Sequence, residues 1–216
     1  MAKSRPYIIL SAAMSIDGKI ASRSGDSKLS SKKDLVRLHR LRRNMDAILV
    51  GRNTIAVDDP LLTVRHVQGK NPIRVILDSR GAIAKSSKII KTASKIPTIL
   101  VVTEKAPKTL EKLTKKKVEV IRCGQDKIDL KRLLRILLKK RINKILLEGG
   151  GTTNWYFLKE KLIDELILTV TPYVLGGKDA ISLVQGNGFD KISKSSSFKL
   201  KNVKRMKNEI ILYYGS

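Results

Sequence analysis

Short apolar runs alternate with helical patterns along most of this chain, and this alternation constrains the fold more than any other feature. The runs predicted as strands are Tyr7–Ala13, Asp46–Gly51, Ile73–Leu77, Thr98–Val102, Val118–Ile121 and Ile145–Leu147. Strands separated by helices favour a largely parallel sheet with helices on both faces. The predicted class is therefore α/β, with a three-layer αβα architecture.

Three segments between these strands are predicted to be helical. Ser31 is the expected N-cap of the first, with Asp34 in the capping-box position, and this helix should end near Asn44. Lys105–Lys116 is the second, an amphipathic candidate. The third has leucines at i, i+3, i+4, i+7 and i+8, at positions 130, 133, 134, 137 and 138.

The C-terminal part loses this alternation. Glu165–Val174, Phe198–Val203 and Glu209–Tyr214 are rich in β-formers, with no convincing helix between them. We expect antiparallel strands there, added to the edge of the same mixed, mostly parallel sheet. Because no linker or repeat divides the chain, a single domain spanning residues 1–216 is predicted.

The chain is strongly basic. It has 45 Lys and Arg residues against 19 Asp and Glu, a formal net charge of +26, which suggests nucleic acid as a partner. The basic residues are dispersed, however, and aromatics make up only 4% of the chain, too few for a platform that stacks bases. A solvated basic coat is the preferred interpretation, and a nucleic-acid-binding protein is kept as the rival from a different class.

Cysteine content and hydropathy predict the compartment. The single cysteine, Cys123, excludes an intramolecular disulfide and a multi-cysteine zinc site, so no metal is expected and the reducing cytoplasm is the predicted location. The N-terminal apolar stretch, Tyr7–Ala13, is too short for a signal peptide. No run approaches the roughly 20 apolar residues of a membrane span.

The segment GRNTIAVDDPLLTVR is the first with candidate binding residues. Asn53 is predicted to cap a short helix that begins at Thr54, where main-chain N–H groups and the Thr54 hydroxyl would favour an anion. Asp58 and Asp59 either form a turn that caps the backbone or accept hydrogen bonds from a ligand. Arg65 is either a surface residue or a bidentate phosphate ligand.

Two further motifs follow predicted strands. In ILLEGGGTTNW, Gly149–Gly151 would let phosphates approach the main chain before a helix near Thr152, and Glu148 would accept from a heterocycle or form a salt bridge. In IRVILDSR, the Ser79 hydroxyl and Arg80 guanidinium are candidates to meet the 2′-phosphate of a dinucleotide. Of the two histidines, His39 is expected to be a surface or packing residue, and His66 a minor phosphate contact.

Together with MSIDGKIA and TPYVLGGKDA, these blocks resemble the riboflavin-pathway reductases that act on ribosylaminopyrimidine 5′-phosphates. The resemblance covers nearly the whole chain and is strongest to the stand-alone form found in archaea. It implies a dihydrofolate-reductase-like fold and a homodimer, for which alternating Ile210, Leu212 and Tyr214 are candidate sheet-edge contacts.

The resemblance also implies roles for individual residues. NADPH, with NADH left open, would contact Thr54, Asp58, Ser79, Arg80, Gly149, Gly150, Gly151 and Thr152. The substrate site would be lined by Ser27, Leu62, Arg65 and Glu148, with Arg65 on the 5′-phosphate and Glu148 on the pyrimidine. Lys19 and Asp17 border the reaction centre and are candidates for a catalytic role.

The sequence has neither the HxE nor the PCxxC motif of the zinc deaminase that precedes the reductase in many bacterial relatives. This favours the diamino pyrimidinone as substrate, reduced before deamination. Its deaminated counterpart, 5-amino-6-(5-phosphoribosylamino)uracil, stays open as an alternative. A dihydrofolate reductase proper is the second rival, although the chain has no convincing equivalent of that family's acidic proton donor.

Overall fold

The computed structural model describes residues 4–216. Its strands are β1 (Tyr7–Met14), β2 (Lys19–Ala21), β3 (Ala47–Gly51), β4 (Ile73–Leu77), β5 (Thr98–Val102), β6 (Val118–Arg122), β7 (Lys144–Gly149), β8 (Glu165–Val170), β9 (Ile181–Ser182), β10 (Lys199–Met206) and β11 (Glu209–Gly215). Its α-helices are α1 (Lys32–Arg43), α2 (Arg52–Asp58), α3 (Lys88–Lys91), α4 (Leu130–Lys139) and α5 (Gly151–Lys159). The N-terminal stretch that is predicted not to be a signal peptide begins with residues 1–3, which lie outside the described residues.

One sheet contains nine of these strands in the order β10-β11-β8-β1-β7-β3-β4-β5-β6, and β2 pairs with β9 separately. Strands β3 to β6 pair in parallel, as do β1 and β8, whereas β11 is antiparallel to both β8 and β10. This confirms the mixed, mostly parallel sheet with antiparallel C-terminal strands. One prediction is wrong. β8 was expected to be antiparallel, and it is instead parallel to β1.

Two compact units divide the chain. The first comprises residues 39–146 with the described part of residues 1–7, and the second comprises residues 8–38 and 147–216. The prediction that residues 1–216 act as a single reductase domain stays a prediction.

The first unit is built on short, buried parallel strands. Every residue of β3 and of β5 is buried, and α4 buries Leu130, Leu133, Leu134 and Leu137 as its periodicity predicted. Such strands have no solvent-facing side, which is why they appear in the sequence as continuous apolar runs.

The second unit carries a long antiparallel hairpin of a different character. All residues of β10 except Met206 are exposed, and Leu200, Val203 and Ile210 are 55%, 52% and 44% exposed. Cross-strand pairs Leu200–Tyr214 and Val203–Leu212 place these side chains on one face of the hairpin. β10, not β11, is the edge strand, so Ile210, Leu212 and Tyr214 belong to a sheet face and not to an edge.

The start of α1 is capped in a way that the sequence did not predict. The Ser31 hydroxyl accepts from the Asp34 N–H at 3.2 Å, as an N-cap should. The Ser31 N–H, however, donates to Glu209 Oε1 at 2.8 Å, while the Asp34 carboxylate accepts from Ser30, Arg37 and Thr169. A distant glutamate thus replaces Asp34 in the capping box.

Three other predictions need correction. Lys105–Lys116 is not an α-helix, because only Lys108–Lys116 is helical and it is a 3₁₀ helix. β8 ends at Val170, four residues before the predicted end, although Thr171 and Tyr173 still form backbone hydrogen bonds with Met14 and Ile16. Asn53 is the second residue of α2 and not its cap, since β3 runs directly into the helix at Gly51.

Across residues 4–216, no helix is long and apolar enough to cross a membrane.

Candidate functional site

In the first unit, the ends of β3 and β4 lead into two segments that carry four of the predicted cofactor residues. The two strands pair in parallel with Gly51 opposite Leu77, so α2 and the Asp78–Arg80 turn begin at the same edge. That edge, at the carboxyl ends of parallel strands, is where ligands bind in open α/β sheets. We call Thr54, Asp58, Ser79 and Arg80 the strand-end cluster.

Buried anchors hold this cluster. Asp78, only 2% exposed, accepts from the Ile83 N–H at 2.7 Å and lies 3.8 Å from Arg52 Nε. The Ser79 carbonyl accepts from the Thr103 N–H and hydroxyl at 3.2 and 2.7 Å. The Ser79 and Arg80 side chains are exposed, and so available to a ligand, while their backbone is fixed.

The segment after α2 turns sharply. Asp59 caps the helix in the left-handed region (φ 38°), and its carboxylate accepts from the Lys88 N–H at 2.8 Å. This matches the interpretation of a turn that caps backbone. Leu62 also has a positive φ, 51°, and the whole residue is only 2% exposed. Its main chain is therefore buried together with its side chain.

The buried Arg74 fixes the main chain at Leu61, directly before Leu62. Its guanidinium donates to the Leu61, Ile89 and Ile96 carbonyls and to two threonine hydroxyls, those of Thr92 and Thr98. Burial lowers its pKa to about 10, because removal from water disfavours the charged guanidinium.

Residues Thr63–His66, which we call the arginine loop, are held by side chains of α1. The Arg65 N–H donates to His39 Nδ1 at 2.8 Å, and Arg42 Nη1 donates to the Thr63 carbonyl at 3.0 Å. The Arg65 guanidinium is exposed and donates to Thr63 Oγ1 at 2.8 Å. The loop thus presents a cation on an ordered backbone.

In the second unit, β7 enters the turn that we call the glycine turn, Glu148–Thr152. Gly149 and Gly150 have φ values of 84° and 39°, which favour glycine. A Cβ on Gly151 would lie 2.5 Å from the Ser182 carbonyl oxygen, and one on Gly149 would lie 2.9 Å from Asn154 Oδ1. All three positions therefore require glycine.

The glycine turn fits an anionic group such as a pyrophosphate. It opens the nine-residue helix α5, whose first N–H groups have no partner within the helix, and the N-cap Gly150 supplies no side-chain cap. Glu148 is half-buried at the end of β7, directly before the turn. The Glu148 carboxylate and the first N–H groups of α5 thus lie within five consecutive residues.

The MSIDGKIA block forms a second ordered region of this unit. The Asp17 carboxylate accepts from the Ser15 hydroxyl and from the Leu175 and Gly176 N–H groups at 2.6, 3.1 and 2.8 Å. These hydrogen bonds lower the pKa of Asp17 to about 2. Asp17 therefore ties this block to TPYVLGGKDA.

Lys19 is held differently. Its Nζ donates to Ser182 Oγ at 3.0 Å across the β2–β9 pair, and its N–H donates to Ser15 Oγ at 2.9 Å. Ser27 lies in the exposed segment after β2.

The candidate residues therefore divide between the two units. The first unit holds Thr54, Asp58, Leu62, Arg65, Ser79 and Arg80, and the second holds Asp17, Lys19, Ser27, Glu148, Gly149–Gly151 and Thr152. Within residues 4–216, no group of three or more His, Cys, Asp or Glu side chains is arranged to hold a metal ion.

Sequence reasoning missed the residues that support these side chains. His39 was expected to be a surface or packing residue, and Arg52 and Ser182 carried no prediction. Nothing in the local pattern marks them, because each acts on a segment far away in the chain. Only the position of His39 on the predicted first helix offered a signal, since a buried polar side chain requires a partner.

Comparison with known proteins decides the family. The model of the RibD C-terminal domain matches residues 6–212. The chain belongs to the RibD C-terminal domain family. It is 39% identical over 213 residues to the 2,5-diamino-6-ribosylamino-4(3H)-pyrimidinone 5′-phosphate reductase of Methanothermobacter thermautotrophicus, covering 97% of this chain and 98% of that one. It is 35% identical over 204 residues to the Aquifex aeolicus protein of the same name, covering 92% of this chain and 91% of that one.

Among solved structures, Acinetobacter baumannii RibD superposes with a TM-score of 0.85 at 29% identity. The match covers all of this chain and 59% of that one, so the chain spans little more than half of that RibD protein. These likenesses confirm the predicted dihydrofolate-reductase-like α/β fold and the predicted resemblance to riboflavin-pathway reductases.

Proposed function

We propose that this protein reduces the ribosyl side chain of 2,5-diamino-6-(ribosylamino)-4(3H)-pyrimidinone 5′-phosphate to its ribitylamino counterpart, with NADPH as reductant. The observation that carries the proposal is the likeness to reductases named for this substrate, with the Methanothermobacter protein matched over 98% of its length. The polar residues at the ends of β3, β4 and β7 support it, because they suit phosphates and a heterocycle.

A bound nicotinamide supplies the hydride for this reaction, which is delivered to C1′ of the opened ribosylamine. The task left to the protein is to align the two reactants and to place charge around them. Each candidate residue is therefore assigned a binding or positioning role, except where a proton must move.

For the cofactor, we assign the strand-end cluster and the glycine turn. Ser79 and Arg80 are proposed to bind the 2′-phosphate, which makes NADPH the preferred cofactor over NADH. Thr54 and Asp58 of α2 are proposed as further contacts. Gly149, Gly150, Gly151 and Thr152 are proposed to hold the pyrophosphate, in agreement with their glycine-dependent geometry.

For the substrate, we assign Arg65 to the 5′-phosphate and Glu148 to the pyrimidine. An exposed guanidinium on an ordered backbone suits a phosphate, and a half-buried carboxylate suits the N–H groups of a heterocycle. Ser27 is proposed to contact the pyrimidine as well. Leu62, which is 2% exposed, is proposed to line the substrate site.

For the proton that ring opening requires, Lys19 and Asp17 stay the candidates, and the structure favours Lys19. A carboxyl group with a pKa of about 2 carries no proton near neutral pH and is a poor donor. The Lys19 side chain is instead oriented by the hydrogen bond that its Nζ donates to Ser182 Oγ.

The deaminated substrate is the second candidate. A relative from Thermotoga maritima, described as a deaminase and 5-amino-6-(5-phosphoribosylamino)uracil reductase, superposes with a TM-score of 0.82 at 27% identity over 98% of this chain. The two pyrimidines differ at a single exocyclic group, so the same fold can accept either.

The test is NADPH oxidation under anaerobic conditions, with the diamino substrate, its deaminated analogue and dihydrofolate assayed in parallel. We expect the highest kcat/KM with the diamino substrate. A preference for the deaminated compound would reverse the order of the two steps, and turnover of dihydrofolate alone would replace the proposed activity. Salt-sensitive DNA binding without NADPH affinity would instead support the nucleic-acid-binding rival.

We also propose a homodimer located in the cytoplasm. The exposed apolar face of the β10–β11 hairpin, with Leu200, Val203 and Ile210, supports the dimer as a surface for a second copy. Light scattering should give about twice the monomer mass of 24.1 kDa. The cytoplasmic location is supported by the single, buried cysteine, Cys123.

A further inference from the structure

A buried histidine supports the arginine loop from beneath. His39, on α1, is 2% exposed, yet its Nδ1 lies 2.8 Å from the Arg65 backbone nitrogen and 3.4 Å from that of His66. Its ring also meets the His66 ring edge-on, with centroids 4.5 Å apart. One buried imidazole therefore contacts both exposed residues at the tip of the loop.

The protonation state of this imidazole follows from its contacts. Donors face both ring nitrogens: the Arg65 N–H lies 2.8 Å from Nδ1 and Arg42 Nη1 lies 3.5 Å from Nε2. The shorter contact makes Nδ1 the acceptor, so in the neutral ring the proton resides on Nε2. A second proton on Nδ1 would place two donors face to face and break the hydrogen bond to Arg65. Burial, followed by the nearby charges of Arg42, His66 and Arg65, lowers the pKa of His39 to about 4, which keeps it an acceptor near neutral pH.

Other side chains also hold the backbone around Arg65. Arg42 Nη1 binds the Thr63 carbonyl, Asn71 Oδ1 accepts from the Val64 N–H, and Thr63 Oγ1 accepts from the Arg65 guanidinium. One cation, Arg42, and neutral side chains thus fix the loop. The position of the Arg65 guanidinium therefore follows from the ordered backbone that carries it.

We propose that His39 is a positioning residue for phosphate recognition, acting as a neutral acceptor that holds the Arg65–His66 backbone so that the Arg65 guanidinium meets the substrate phosphate. This inference rests on the proposed function, because it takes Arg65 as the phosphate ligand. His39 itself touches neither substrate nor cofactor, so it acts only through Arg65.

The decisive comparison uses His39→Leu and His39→Asn. Leucine removes the acceptor and keeps a buried side chain, whereas the asparagine oxygen can take the place of Nδ1. We expect His39→Leu to raise the KM for the phosphorylated substrate about three- to tenfold, the worth of one hydrogen bond. The kcat and the KM for NADPH should change little. His39→Asn should restore the substrate KM to within about twofold, and Arg40→Ala, an exposed neighbour on α1, is the matched control.

Three outcomes separate this inference from the proposed function. If Arg65→Ala leaves the substrate KM unchanged, the phosphate assignment itself fails. If Arg65→Ala raises it but His39→Leu does not, only the positioning role fails. If both raise it, the double variant should be no worse than Arg65→Ala alone, and full additivity would overturn the proposal.

A measurement on the unaltered protein covers the case in which His39→Leu does not fold. Nitrogen-15 NMR of the imidazole should show Nε2 protonated and Nδ1 unprotonated at neutral pH, with a shift of the His39 signals when inorganic phosphate is added. A proton on Nδ1 would contradict the proposal. So would a titration in which phosphate shifts the Arg65 signals and leaves the His39 signals unchanged.

Discussion

The glycine turn and the arginine loop are both assigned to phosphates, but they are built on opposite principles. In the glycine turn the ligand would meet main-chain N–H groups, and the geometry depends on the absence of side chains at Gly149–Gly151. In the arginine loop the ligand would meet a side chain, and the backbone is fixed by two other side chains, His39 and Arg42.

This difference predicts how each site fails. A Cβ added at Gly151 meets a backbone atom, the Ser182 carbonyl oxygen, which cannot easily move away, so a small substitution there should have a large effect. The arginine loop tolerates changes in volume, and its function should depend on one charge and one acceptor. Substitutions of graded severity test this expected difference between the two sites.

The largest effect is expected from Gly151→Ala. Its Cβ would lie 2.5 Å from the Ser182 carbonyl oxygen and 2.9 Å from Gln185 Cγ, so the start of α5 must shift. We expect a rise of about 100-fold or more in the KM for NADPH, with a fall in Tm of about 2–4 °C for each kcal/mol of strain.

Gly188→Ala is the control for this change. Gly188 has no atom within 4 Å of its added Cβ, although its φ of 73° brings some backbone strain. It should lower Tm slightly and leave the NADPH KM unchanged. Equal KM effects in both variants would show that the glycine turn is not a cofactor site.

Arg65→Ala comes next. A charge-assisted hydrogen bond to a ligand is worth roughly 1.5–3 kcal/mol, so kcat/KM for the phosphorylated substrate should fall about 10- to 150-fold. NADPH binding and Tm should barely change, because the side chain is exposed. Steady-state kinetics with the phosphorylated and dephosphorylated substrates measures the effect, and an equal loss on both would argue against a phosphate contact.

Glu148→Gln should have a somewhat smaller effect, a fall of about tenfold or more in kcat/KM, because glutamine keeps one acceptor oxygen and the same volume. NADPH affinity should be retained. Abolished NADPH binding would instead assign the whole of Glu148–Thr152 to the cofactor, and the pyrimidine would then have to be sought near Asp17 and Ser27.

The same contrast explains how much the sequence predicts. β4 and β5 were predicted residue for residue, and so was the apolar face of α4, because burial on both sides leaves a continuous apolar run and a helix leaves its 3.6-residue period. The glycine turn was predictable for a related reason, because its geometry depends on the adjacent residues Gly149–Gly151.

Supports that come from distant residues were not predictable. Glu209 caps α1 across 178 positions in the chain, and His39 holds the arginine loop across 26. The prediction of an α-helix at Lys105–Lys116 was wrong for another reason. Its apolar spacing is compatible with both an α-helix and a 3₁₀ helix, and periodicity does not distinguish hydrogen bonds to i−4 from those to i−3.

Arg80→Ala tests the strand-end cluster, where a side-chain cation again serves a phosphate. We expect the NADPH KM to rise about tenfold and the NADH KM to stay nearly constant, since only NADPH carries the 2′-phosphate. Arg40→Ala, another exposed arginine of this basic chain, is the control for a general loss of charge. Equal losses with both cofactors would show that Arg80 does not reach that phosphate.

The smallest effect concerns the pH dependence of stability. In the folded protein the pKa of His39 is lowered from 6.5 to about 4, so below pH 6.5 the unfolded chain takes up a proton that the folded chain refuses. The contribution of His39 to stability is therefore complete above about pH 6.5 and is lost as the pH falls towards 4. The lowered pKa values of Asp17 and Glu111 start from ordinary values of 3.8 and 4.5, so their contributions are lost at lower pH. Between pH 6.5 and 4.5, Tm should fall more steeply for the wild-type protein than for His39→Asn, which has no titrating group at this position. Parallel slopes in thermal melts over this interval would mean that His39 takes up its proton as readily in the folded protein as in the unfolded chain, and that the arginine loop does not depend on its neutral form.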